Sequence, residues 1–188
     1  MGNDTQRGPG SAFADGSAAQ QAVEMVLPMI EAGMASHQLG ASGFLYIVVM
    51  DPGLRPECSN FEQAILYEHA VGDRTQWDAD YAAFAREKAH VCWRTQRSGH
   101  EVRYVAPHLL RTADTGVWGG VWVDSIAVGV SGADPWFDEA IAATIAYCLR
   151  AVAKKRALGL PEGPALEDTL TGRKDTLAGH EDSLSGLV

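Results

Sequence analysis

The residues best suited to chemistry crowd into one stretch of this chain, where Lys88, His90, Arg94, Arg97, Ser98 and His100 follow one another, with Trp118, Gly119 and Gly120 some way downstream. Tyr81, Phe84, Lys88, Val91 and Thr95 recur at intervals of three and four. That spacing places Lys88 on a largely apolar helical stripe, where a lysine either snorkels to water or meets an anion. Arg94, Arg97 and Ser98 lie farther along the same helix or at its end, and a guanidinium there can grip a carboxylate through paired hydrogen bonds. Lys88 or His90 would then serve as acid or base, with Arg97 as the carboxylate clamp. Gly119 and Gly120 sit inside a β-branched and aromatic run, where glycine marks a bulge or a close approach by a ligand or another backbone. Taken together, the cationic stretch and the glycine backbone suit an anion site. A solvated helix face and a plain bulge are the alternatives.

The elements that must carry these groups can be read from apolar periodicity. Val117 to Val123 and Ile126 to Val130 form a hairpin across Asp124-Ser125. Asp134 caps a helix that starts at Pro135, carries Phe137, Ile141, Ile145, Leu149 and Val152 at helical spacing, and stops at Gly159. Upstream, the pattern predicts a helix from Ser17 to Gly40 that Pro28 kinks or splits. Strands follow at Phe44 to Met50 and Ala64 to Val71, then a helix from Gln76 to Gln96 and a strand from Glu101 to Val105. This order implies an α+β fold, an antiparallel sheet of about five strands flanked by helices.

The glycine pair, the short hairpin, Val128-Gly-Val-Ser-Gly132 and the acidic start of the last helix resemble the GlcG/HbpS family, whose members carry the name heme-degrading domain. The likeness extends to Phe44-Leu-Tyr-Ile-Val-Val-Met-Asp51 with Pro52-Gly53, and to the basic helix holding Arg86, Lys88, Arg94, Arg97 and Ser98, and covers roughly Ala18 to Ala157. The resemblance implies a profilin-like fold, shared with the C-terminal domain of PduO-type corrinoid adenosyltransferases, and a homo-oligomer that holds heme or a small anionic metabolite. For heme, His90 and His100 are the first candidates for the iron because they flank the cationic stretch, ahead of His37, His69 and His108. Trp93, Trp118, Trp122 and Tyr104 would supply an apolar wall.

Composition sets limits. The chain has 188 residues, 46% of them hydrophobic and 21% charged, which suits one domain with tails. A formal charge of -9 argues against nonspecific binding to nucleic acid or an anionic membrane. No apolar run is long enough to span a bilayer, and the polar start lacks a signal peptide's apolar region, so a cytoplasmic location is expected. Cys58, Cys92 and Cys148 are widely spaced and suggest neither a disulfide framework nor a zinc site. Phosphate-loop, serine-hydrolase and zinc-protease motifs are missing.

Residues 1-17 read as a disordered segment, 18-159 as the folded domain and 160-188 as a disordered tail. The tail repeats Asp168-Thr-Leu-Thr-Gly172, Asp175-Thr-Leu-Ala-Gly179 and Asp182-Ser-Leu-Ser-Gly186 every seven residues. Such repeats resemble the cargo peptides that dock in encapsulin-type protein shells. The functional expectations are therefore a heme-binding or small-anion-binding protein, an enzyme acting on a small organic acid, or the cargo of a protein shell.

Overall fold

Strand Leu45–Met50 (β1) is buried along its whole length, which demands cover on both faces of the sheet to which it belongs. Its odd-numbered residues Leu45, Ile47 and Val49 join one apolar cluster. Tyr46, Val48 and Met50 join another. The two clusters lie on opposite faces, as the alternation of side chains along a strand requires. This computed structural model describes residues 10–159, so the tail repeat and most of the amino-terminal segment lie outside the described residues. Its contacts divide the chain after Ala153.

Around β1 the order of elements is helix Gly16–Ala35 (α1), β1, a short helix Phe61–Ala64 (α2), strand Ile65–Val71 (β2), helix Tyr81–Thr95 (α3), helix Gly99–Tyr104 (α4), strands Gly120–Val123 (β3) and Ile126–Ser131 (β4), and helix Pro135–Leu158 (α5). The four strands pair antiparallel in the order β2-β1-β4-β3. Ala18, Ala22, Val26 and Ile30 of α1 and Ile141, Ile145 and Leu149 of α5 cover one face. Ala85, Ala89, Cys92 and Trp93 of α3 cover the other. The α+β class and the helix-flanked antiparallel sheet are as the element order implied.

Helix α3 lies unusually close to the sheet because β4 offers it a glycine. A Cβ on Gly129 would come within 2.2 Å of the Ala85 carbonyl oxygen and 2.5 Å of the Ala89 nitrogen. The alanines at 85 and 89 complete the contact, since larger side chains would hold the helix away.

The β3–β4 hairpin forms as expected, with Asp124 and Ser125 both at positive φ, 48° and 69°, the signature of a type I′ turn. Several expectations need correction. The sheet has four strands, not about five, because residues 99–104 form α4. Gly99 and Val102, three apart, are the residues it buries, whereas Tyr104 and Val105 are exposed. Short apolar alternation had imitated a strand. The hairpin's first strand starts at Gly120 rather than Val117, α3 starts at Tyr81 after a 3₁₀ turn at Arg74–Gln76, and α1 ends at Ala35. Nor does Pro28 split α1, which runs through it uninterrupted as a helix.

Among the described residues no helix is long and apolar enough to cross a membrane.

Candidate binding site

Lys88 lies on the sheet-facing side of α3 and is almost wholly buried. Its ammonium donates to Asp138 Oδ2 at 2.8 Å, to the Val130 carbonyl at 3.0 Å and to Ser131 Oγ at 3.3 Å. These partners match its three N–H bonds. Asp138, in the first turn of α5, also accepts from the Ala133 backbone N–H at 2.9 Å. The pair thus ties α3 to the end of β4 and the start of α5. Burial pushes the Asp138 carboxyl up to about 6, against the opposing pull of Lys88 and its hydrogen bonds.

The glycine pair makes room for this arrangement. Gly119 has φ +139°, and a Cβ there would meet Asp138 Cβ at 2.6 Å and Lys88 Nζ at 3.2 Å. At Gly120 a Cβ would meet Cys92 Sγ at 2.9 Å and the Lys88 carbonyl at 3.0 Å. Of the two readings of these glycines, a bulge or a close approach, the structure shows a close approach, made by α3 and by the ion pair.

A cleft opens beside the pair. Val91, Leu110, Val117 and Trp118 form apolar walls, Gly99, Gly116 and Gly120 shape the rest, and the polar members are Lys88, Arg103 and Thr115. Arg103 is exposed, and its guanidinium lies against Gly116, where a Cβ would stand 3.5 Å from Nη1. Among the described residues no carboxylate forms an ion pair with it. Its guanidinium lies over the Tyr104 ring, 5.7 Å from the centroid, a contact that leaves its N–H donors open to an anion.

Of the residues singled out from sequence, Lys88, Trp118 and Gly120 line this cleft. His100 is next to it, packed on Trp118 with ring centroids 5.0 Å apart and on Tyr104 at 4.9 Å. Ser98 precedes α4, and its Oγ accepts from the Trp122 N–H at 3.2 Å, fastening α4 to β3. The others are engaged elsewhere. Arg94 donates to Asp114 and to the Leu109 carbonyl, clamping the segment that leads to the cleft wall. Arg97, between α3 and α4, pairs with Glu101 four residues on. His90 packs on Phe61 at 4.9 Å and near Trp93, and burial favours its neutral form. The structure therefore does not bring Lys88, His90 and Arg97 to one cavity, and His90 and His100 belong to separate aromatic groups. Among the described residues no cluster of three His, Cys, Asp or Glu side chains could hold a metal ion.

Sequence reasoning missed Arg103, Thr115 and Leu110, because reading 101–105 as a strand took Arg103 away from the site. It also missed Asp138 as the partner of Lys88. A signal existed: Asp138 stands three and seven residues before Ile141 and Ile145, an acid on the buried stripe of α5 facing a lysine on the buried stripe of α3.

No family model matches the chain, and no curated protein matches it in sequence. A solved structure matches it in fold. It is that of the Klebsiella pneumoniae protein ORFY, of family DUF336, which aligns over 80% of this chain and 98% of its own with a TM-score of 0.51 at 18% identity. At that identity the likeness concerns the fold: this chain is similar in architecture to a DUF336 protein.

Proposed function

We propose that this chain is a GlcG-like binding protein for a small organic anion, held in the cleft between α3, α4 and the segment 110–118. The observation that carries this reading is Arg103, a cation with no carboxylate partner among the described residues at the rim of an apolar-walled cleft. Few convergent polar groups in an apolar recess are the usual form of a small-molecule site. The fold likeness to a DUF336 protein is consistent with it. A thermal-shift screen of small organic anions against the wild type and Arg103→Gln tests the reading. Stabilisation by at least one anion, lost in the variant, is the expected result; no shift with any anion, or shifts unchanged by the substitution, defeats it.

The second reading is heme, and His100 favours it. The imidazole is exposed, neither ring nitrogen is hydrogen-bonded within the described residues, and the ring packs on Trp118 and on the exposed Tyr104, with Glu139 within electrostatic reach. These residues fit a flat apolar macrocycle, with His100 as the iron ligand and Arg103 available to a propionate. Bound heme would supply redox and oxygen chemistry, while the chain would orient it and shield one face. Titration followed by absorbance should show a saturable band that His100→Ala abolishes and His90→Ala leaves in place. The same exposed apolar residues suit a homo-oligomer, for which light scattering should give a mass above that of the single chain.

A further inference from the structure

Resting on the anion-binding reading, we infer that the cleft takes a monocarboxylate with a compact apolar body, its carboxylate held jointly by Arg103 and Thr115 and its body lodged among Val91, Leu110, Val117 and Trp118. The charge balance of the lining sets the number of carboxylates. Its ionisable side chains are Lys88 and Arg103, and the Lys88 ammonium is matched by Asp138 at 2.8 Å with its remaining donors taken by Val130 and Ser131. Among the described residues, one positive charge of the lining without a carboxylate partner remains, at Arg103. A second carboxylate on the ligand would face valine, leucine and tryptophan, where an ion without a partner is strongly disfavoured.

Thr115 supplies the second donor. The Val117 backbone N–H donates to Thr115 Oγ1 at 3.1 Å, so the oxygen serves as acceptor there and its own hydrogen remains to be given away. Gly116, between these two residues, carries the Arg103 guanidinium against its backbone. Guanidinium and hydroxyl therefore both line the cleft beside Gly116, an arrangement suited to a single planar carboxylate. Apart from Lys88, whose donors are taken, the rest of the lining is apolar side chains and glycine, which suits a compact hydrocarbon body and offers no free side-chain partner to hydroxyl groups.

The test is calorimetric titration of the full chain with isovalerate, benzoate, succinate, inorganic phosphate and isovaleramide, followed by amide-resolved NMR on the tightest. Isovalerate or benzoate should bind at least tenfold more tightly than isovaleramide and than succinate, with shifts at Thr115, Gly116 and Trp118. Arg103→Gln should weaken the monocarboxylate by about tenfold or more, and Thr115→Val by about threefold to tenfold, the usual range for a charge-assisted bond and for one hydroxyl donor. If succinate or phosphate binds more tightly than the monocarboxylates, the ligand class is wrong while the anion-binding reading stands. If isovaleramide matches isovalerate, or no acid binds at this cleft, both fall together.

Discussion

Replacing Lys88 by Met keeps the length of the side chain and removes its charge, leaving Asp138 buried with the Ala133 N–H as its remaining hydrogen-bond donor among those described. Breaking a buried ion pair from one side costs about 3–5 kcal/mol. At about 2–4 °C per kcal/mol for a protein of this size, Tm should fall by about 6–20 °C at neutral pH. The deficit should depend on pH in a defined direction. The Asp138 carboxyl rises from 3.8 to about 6 on folding. Its contribution is therefore fully favourable below its unfolded value and is lost as pH rises through the folded one. Lys88 is the source of the two largest influences that pull this value down. Lys88→Met removes both, pushes the carboxyl above about 6 and extends the loss of stability to higher pH.

Thermal unfolding of wild type and variant between pH 4 and pH 8 should show a gap that is smaller at the acid end, where Asp138 is neutral, and that widens above about pH 6 by up to about 1.4 kcal/mol per pH unit until the variant's own carboxyl ionises. The double variant Lys88→Met with Asp138→Asn should regain most of the loss and flatten the profile, because no buried charge then lacks a partner. Equal deficits at both ends of the pH range, or a loss under 2 °C throughout, would refute the assignment of the pair as the tie between α3 and α5.

Gly129→Ala should destabilise the domain by at least about 1–3 kcal/mol, read by urea denaturation, because the new methyl group meets backbone of α3 rather than a yielding side chain. Arg94→Met should release the Asp114 clamp and speed hydrogen exchange across 109–118 well beyond that of β1, and should weaken any ligand of the cleft without touching it. Cys58 is exposed, whereas Cys92 is fully buried with its thiol pushed up to about 12, chiefly by burial. Thiol titration at pH 8 should therefore show one fast group that Cys58→Ser removes, with Cys92 reacting only on unfolding.

Local chemistry made the hairpin, the start of α5 and the central strands legible. Asp124-Ser125 between two β-branched runs, and Asp134-Pro135 before an apolar stripe, act through bonds and sterics within a few residues. Where two local readings competed, the sequence misled. Glu101 to Val105 alternates over too short a span to separate a strand from a helix that buries Gly99 and Val102 alone. Val117 and Trp118 read as strand but stand outside β3, beyond the positive φ of Gly119.

The site divides in the same way. Sequence alone determined that Lys88 lies on an apolar stripe and must either reach water or find an anion, that glycines 119 and 120 mark either a bulge or a close approach, and that the sheet is antiparallel with helices packed on it. Only the tertiary structure decided that the anion is Asp138, fifty residues on, that Arg94 and Arg97 are engaged by neighbouring carboxylates, and that Arg103 is the cation left at the cleft. Helical periodicity says which way a side chain faces along its own axis. Which other element stands opposite depends on how closely α3 can approach β4, and that distance is set by the missing side chain of Gly129 and the small ones of Ala85 and Ala89.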